Sequence, residues 1–253
     1  MEGFISFVGT GGARIVVASQ VRSTGGLWLN YKNTNLYIDP GPGALVRLRA
    51  LKYLDPRRLD GLIITHKHLD HANDVNILVE AMTDSGNKRR GFLFCPGDAV
   101  GEDAVVFKYL REYLEGIELL KERGSYRVKD LEFSTPVRHL HPVDTYGIVF
   151  HANKKIALIT DTRFFEELSD YYRSDILIVN VLRTKPILEA DRIDHLSLAD
   201  FAEIIARVKP EIAVMTHFGK TLIREKPYLL AKALREETGI EVIAAYDGMK
   251  LEF

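Results

Sequence analysis

Three of the chain's eight histidines fall within the six residues His66-Lys67-His68-Leu69-Asp70-His71, directly after Thr65 and the apolar run Leu62-Ile63-Ile64. On a chain still extended at a strand end, residues two apart point the same way, so His66 and His68 converge. Asp70 and His71 then lie on the following turn and offer two more ligand groups. Imidazole and carboxylate together suit zinc and related divalent ions. Four such donors in so short a piece exceed what one tetrahedral ion takes from it, which predicts two metals sharing a site. A lone histidine at a strand end is ordinarily a satisfied structural group. This run contains three, with a carboxylate among them.

The pattern resembles the hallmark of the metallo-β-lactamase-fold hydrolase superfamily, and further motifs of that family follow in order along nearly the whole chain. Asp39 in Tyr37-Ile38-Asp39-Pro40-Gly41 matches an aspartate that ends an early strand and supports the metal histidines from behind. His141 in His139-Leu140-His141-Pro142, Asp161 in Ile159-Thr160-Asp161-Thr162, and His217 in Met215-Thr216-His217-Phe218 match the remaining ligands. The resemblance implies His66, His68 and His141 on one metal, Asp70, His71 and His217 on the other, and Asp161 between them. His139 and His141 point the same way on an extended chain, so either fits the ligand position. His141 is preferred because Gly147 follows at the family's spacing. Asp161 has a second reading as the N-cap of a helix near Phe164. His151 fits no motif and is read as structural.

Fold does not decide function, so the branch rests on the site. The opening Phe7-Val8-Gly9-Thr10-Gly11-Gly12-Ala13-Arg14 looks like the start of the phosphodiesterase branch, which includes tRNA 3′-processing endonucleases and phosphoribosyl cyclic phosphodiesterases. It is not a dinucleotide fingerprint, because Arg14 stands where the third glycine is needed. Asp194-His195-Leu196-Ser197 resembles that branch's extra motif, whose histidine acts on the scissile phosphate; the bland alternative is a loop histidine leading a capped helix. The tRNA-processing enzymes carry a long arm between their third and fourth motifs, whereas nineteen residues separate His141 from Asp161 here. A small or nucleic-acid-derived phosphodiester is therefore expected in place of pre-tRNA. The implied mechanism is attack by a metal-bridging hydroxide that Asp70 orients and deprotonates. His195 then serves the phosphoryl oxygens or the leaving group. Zn2+ is the expected metal, with Mn2+ or Fe2+ also suited to these ligands. A thioester or lactone hydrolase of the same fold is the alternative. A non-catalytic scaffold is disfavoured, since all seven ligand positions are filled.

The elements that must hold these residues alternate from end to end. Phe4–Val8, Leu27–Tyr31 and Asn35–Ile38 read as an opening β meander, and nine further apolar runs as strands. Helices are expected at Ala44–Lys52, Asn73–Thr83, Ala104–Glu115, Phe164–Tyr171, Ser197–Val208 and Pro227–Glu237. The best supported is Ser197–Val208, with capping-box spacing from Ser197 to Asp200 and an apolar face of Phe201, Ile204, Ile205 and Val208. About a dozen strands with about six helices are too many strands for a doubly wound sheet. An α/β arrangement of two mixed sheets face to face, with helices outside, fits better, and the resemblance implies the same four-layer αββα sandwich. The 253 residues read as one domain spanning 1–253, with no repeat and no linker.

Composition closes off other classes. Lys+Arg 34 against Asp+Glu 35 leaves no overall basic footprint for nucleic acid. Lys88-Arg89-Arg90 is the only basic cluster near a loop, and such runs are mostly solvated faces. One cysteine, Cys95, excludes an internal disulfide framework or a CxxC metal site. No signal peptide or membrane span is visible, so a cytoplasmic protein without a membrane partner is expected, with a homo-oligomer left open.

Overall fold

Strands that read as unbroken apolar runs must be covered on both faces, and the computed structural model, which describes residues 2–186 and 194–253, contains two such sheets. In the first, β1 (Gly3–Phe7), β2 (Leu27–Tyr31) and β3 (Thr34–Ile38) form the expected antiparallel meander. It continues in parallel through β4 (Gly61–Ile63), β5 (Phe92–Cys95) and β6 (Gly116–Leu119), and β15 (Met249–Glu252) closes the other edge against β1. In the second sheet, β7 (Gly124–Val128), β8 (Leu131–Thr135), β9 (Ile148–His151) and β10 (Lys155–Ile159) are antiparallel. Parallel pairing then carries the sheet through β11 (Ile176–Arg183), β13 (Ile212–Thr216) and β14 (Glu241–Ala244), while the two-residue β12 (Leu196–Ser197) lies on β11.

Period-two alternation divides the core. Leu36 and Ile38 of β3 join Phe94, Phe133, Ile148, Ile156 and Ile178 between the sheets. Tyr37, one residue out of phase, faces the outer layer with Leu62 and Ile64, where α2 (Ala44–Ala50) and α4 (Val75–Thr83) cover the first sheet through Leu48, Leu78 and Val79. Leu177 and Val179 of β11 likewise meet α6 (Leu198–Val208) and α8 (Pro227–Thr238) through Phe201, Ile204, Ile205 and Leu234. Fully burying one such side chain is worth about 1.5–3 kcal/mol. The architecture is thus two mixed sheets flanked by helices, as expected. At the start of α6, Ser197 Oγ accepts from the Asp200 N–H, and Asp200 Oδ2 accepts from the Ser197 N–H at 2.7 Å.

Several elements differ from expectation. Ala104–Glu115 is not an α-helix: only Lys108–Tyr113 is helical, in the tighter 3-10 form, and Gly116 opens β6. The backbone before it is bonded elsewhere. Asn76 takes the Val105 carbonyl and the Phe107 N–H, and the Arg111 guanidinium takes the Val106 carbonyl. Asn73–Thr83 is present as α4, which starts two residues later at Val75, and an unforeseen short α3 (Leu69–Ala72) precedes it; the Asp74 N–H between them goes to the Pro40 carbonyl. Of Phe164–Tyr171, only α5 (Leu168–Tyr171) is helical. The unforeseen α1 (Ala13–Ser19) contains the β-branched run Ile15-Val16-Val17, which masks its helical start. The short α7 (Lys220–Arg224), β6, β7 and β12 were also unforeseen.

Candidate metal centre

The chemistry-bearing side chains follow the carboxyl ends of parallel strands, where open sheets place their ligands. Asp39 follows β3, His66 to His71 follow β4, Asp161 follows β10 and His217 follows β13. His141 lies in the loop from β8 to β9, and His195 directly precedes β12. Asp39 and His217 take positive φ angles of 54° and 61°, which turn their side chains sharply off the strand ends.

These residues converge. His66, His68 and His141 each offer one nitrogen within 4.8 Å of the others, and so do the donor atoms of Asp70, His71 and His217. Asp161 lies between the two groups: its Oδ2 is 3.7 Å from His66 Nε2, 3.4 Å from His71 Nε2 and 3.0 Å from His195 Nε2. Its Oδ1 is 3.6 Å from His217 Nδ1.

The surrounding groups orient the rings. Asp39 Oδ1 accepts from the Thr65 N–H at 2.7 Å, and its Oδ2 accepts from Thr65 Oγ1 and from His71 Nδ1–H at 2.9 Å. With its hydroxyl proton committed to Asp39, Thr65 Oγ1 accepts from His66 Nδ1 at 3.1 Å. The Asp194 carbonyl accepts from His141 Nδ1–H at 3.0 Å. Each of these three rings therefore turns Nε2 inward. Such outer hydrogen bonds set the tautomer of a metal-binding histidine.

The donor set fits divalent metal ions. His141 Nε2 meets His68 Nδ1 at 3.0 Å, and His71 Nε2 meets His217 Nε2 at 3.1 Å. Two ring acceptors facing one another are stabilised by a shared proton or by a cation. His66 Nε2 is fully buried with no hydrogen-bond partner among the described residues. An orphaned buried polar atom costs about 1–3 kcal/mol, which a metal–nitrogen bond removes.

Electrostatics separates the rings. Burial holds His66 well below its usual range, and burial brings His141 and His139 down to about 4. His71 and His195 move the other way: burial opposes their charge, but the Asp161 carboxylate, with Asp39 and Asp70 beside His71, outweighs it. Asp161 is buried too, yet His217, His195 and His71 hold it well below the ordinary carboxylate range.

His139 stands outside this cluster. Its Nδ1 bonds the Asp161 carbonyl at 3.2 Å and its Nε2 bonds the Tyr172 hydroxyl at 2.7 Å, so neither nitrogen reaches the centre. The Asp194 carboxylate is taken by Arg163 at 2.6 Å. His151 is exposed and bonds Ser134. Lys88-Arg89-Arg90 is engaged at the opposite end of β4, with Arg89 on the Leu114 carbonyl and Arg90 on the Leu59 carbonyl and Asp60. Cys95 is buried, which pushes its thiol up to about 12. Two participants escaped sequence reading. Asn180 is buried in β11 and donates from Nδ2 to Asp161 Oδ1 at 2.8 Å; one amide inside the apolar run Ile176–Val181 was its only signal. Gly12 backs the His217 ring so closely that a Cβ there would lie 2.2 Å from Nδ1.

The family model for the beta-lactamase superfamily domain matches residues 34–218. An uncharacterised protein of Methanocaldococcus jannaschii is 35% identical over 259 positions, covering 98% of this chain and 94% of its own length. The ribonuclease Z of Borreliella afzelii is 23% identical over 313 positions, covering 98% of this chain and 96% of the relative. Among solved structures, the metallo-β-lactamase-fold protein YhfI of Bacillus subtilis superposes with a TM-score of 0.82 at 17% identity, over 100% of both chains. A diphosphatase of the PhnP family superposes with a TM-score of 0.74 at 20% identity, over 100% of this chain and 98% of the other. Among the described residues, no helix is long and apolar enough to cross a membrane. The chain belongs to the beta-lactamase superfamily and has the metallo-β-lactamase fold.

Proposed function

We propose that this chain, acting as one domain, is a dinuclear-metal phosphodiesterase for a small or nucleic-acid-derived phosphodiester. The observation that carries the reading is His195, whose Nε2 lies 3.0 Å from Asp161 Oδ2 and whose side chain is 19% exposed. It adds a histidine at the mouth of the centre beyond the seven residues assigned to metal. His66, His68 and His141 would hold one ion and Asp70, His71 and His217 the other, with Asp161 shared. Zn2+ suits these donors, as do Mn2+ and Fe2+. When bound, the two ions would bring the pKa of water to near neutrality and neutralise charge on the transferring phosphoryl group.

The chain's own residues supply the rest. Asp70, whose Oδ2 accepts from the Ala13 N–H at 3.2 Å, would orient the attacking water and take its proton. His195 is held toward its charged form by Asp161, and can donate from Nε2 to the leaving alkoxide or to a phosphoryl oxygen. Asn180 donates to Asp161 Oδ1 and keeps the carboxylate from rotating, while the His195 Nε2 proton, which lies on Asp161 Oδ2 in the resting site, would turn to the substrate. The short β9–β10 hairpin leaves no arm for pre-tRNA, and the ribonuclease Z relative aligns over roughly 60 positions more than this chain has. Both favour a smaller substrate.

The test is a panel of matched leaving groups on protein with measured metal content. Bis-p-nitrophenyl phosphate should be cleaved with kcat/KM orders of magnitude above S-lactoylglutathione and above a lactone. If the thioester or the lactone wins, the chain is a hydrolase of that alternative class. If metal-replete protein binds no metal, the whole reading fails.

A further inference from the structure

The buried pair His139 and Tyr172 is used by none of the steps above, although the two side chains are 1% and 0% exposed. Their hydrogen bonds form a directed chain. A carbonyl oxygen only accepts, so His139 Nδ1 carries the proton given to Asp161 at 3.2 Å. In the neutral ring Nε2 is then an acceptor, and it takes the Tyr172 hydroxyl proton at 2.7 Å. The ring stands edge-on to Tyr172, with centroids 5.6 Å apart and planes at 74°. Nothing larger than glycine fits beside them at residue 147. A Cβ on Gly147 would lie 2.4 Å from Tyr172 Oη and 2.8 Å from His139 Cε1.

The bond to Asp161 is one of three that join the two loops. The Leu140 N–H donates to Thr162 Oγ1 at 3.1 Å, and the Arg163 N–H donates to the Leu140 carbonyl at 2.9 Å. His141 and Asp161 are thereby registered against each other, and their donor atoms, with that of His195, lie within 4.8 Å of one another.

We propose that Tyr172 and His139 are positioning residues: Tyr172 sets the His139 tautomer, and His139 Nδ1–H fixes the Asp161 backbone so that its carboxylate stands between the two histidine groups. This rests on the assignment of Asp161 as a shared ligand. An Asp161 carbonyl without its donor leaves the aspartate free to shift, and groups behind metal ligands commonly govern affinity about 10- to 100-fold.

The experiment uses the full chain and competes Zn2+ against a chromophoric chelator, alongside kcat and thermal midpoints. His139→Leu keeps the volume and deletes the donor. His139→Asn puts an amide N–H where Nδ1 was. Tyr172→Phe keeps the ring and deletes the hydroxyl. The proposal expects affinity for one equivalent of Zn2+ to fall about 10- to 100-fold in His139→Leu, with most of it restored in His139→Asn. Tyr172→Phe should show a smaller loss of the same kind, and kcat should fall with the metal. A packing role predicts the reverse, with His139→Leu the better substitute. Wild-type affinity in His139→Leu, or equal losses in His139→Leu and His139→Asn, would overturn the proposal. If His139→Leu does not fold, wild-type affinity and kcat in Tyr172→Phe overturn it alone. Failure of the wild type to bind any Zn2+ would instead strike the metal assignment.

Discussion

Gly12→Ala isolates one contact on which the site depends. Gly12 has φ −142° and ψ 170°, extended backbone that alanine adopts freely, so the substitution carries no conformational strain of its own. Removing a glycine at such a position stabilises a fold by about 0.4–1 kcal/mol through the unfolded chain. The cost is steric. The added Cβ would lie 2.2 Å from His217 Nδ1, 2.3 Å from Cε1 and 2.4 Å from Cγ. Carbon contacts settle near 3.5 Å, so ring and methyl must separate by roughly 1.2 Å. The backbone cannot supply that movement cheaply. The Gly12 N–H is bonded to the Phe218 carbonyl at 3.1 Å, and the Phe218 N–H to the Thr10 carbonyl at 2.7 Å. The imidazole has to retreat, although metal sites tolerate only about 0.2 Å in ligand distance. Gly12→Ala should therefore lose the ion assigned to Asp70, His71 and His217. Its kcat/KM on bis-p-nitrophenyl phosphate should drop about 10²-fold, the scale set by a 1 Å misplacement. Its thermal midpoint without metal should fall by a few degrees, because overpacking against a buried ring costs about 1–3 kcal/mol and outweighs the gain from replacing glycine. Elemental analysis, steady-state kinetics and calorimetry on one preparation decide it. Full metal content with unchanged kcat/KM would refute the argument.

Three further outcomes follow from named contacts. Wild-type protein purified without chelator should carry about two divalent ions per chain, and Asp161→Ala should lose more than half of them by elemental analysis, because one carboxylate faces both groups. His195→Ala should keep its metal yet lose about 10²–10⁴-fold in kcat on diesters with poor alkoxide leaving groups, and clearly less on nitrophenyl esters if the ring is chiefly the general acid. A variant that loses metal would make His195 a ligand instead. Ser197→Ala removes the hydroxyl half of the capping box on α6 and leaves Asp200 Oδ2 on the backbone N–H of residue 197, at a cost of about 1 kcal/mol, which calorimetry should record as a fall of roughly 2–4 °C. An unchanged midpoint would mean that the cap contributes nothing.

What the sequence determined by itself was local and periodic. His66 and His68 converge because of a two-residue repeat at a strand end, and β2, β8, β9 and β13 start and stop where their apolar runs do. These patterns depend on backbone geometry that neighbouring residues share, so they can be read without the fold. The early expectation of two sheets rested on the same periodicity. Tertiary structure decided whatever depends on groups far apart in the chain. His139 and His141 have the same side-chain direction in an extended chain; Tyr172 captures the first, and the Asp194 carbonyl turns the second inward. Asn180 and Gly12 acquire their roles only when β11 and the turn before α1 are brought against Asp161 and His217. Residues 104–115 carry helical periodicity, but their Val105 carbonyl and Phe107 N–H find a partner in Asn76, some thirty residues earlier, that no periodicity records. Hydrogen bonds made across the fold overrode a local preference worth only tenths of a kcal/mol per residue, on the order of 0 to 0.7.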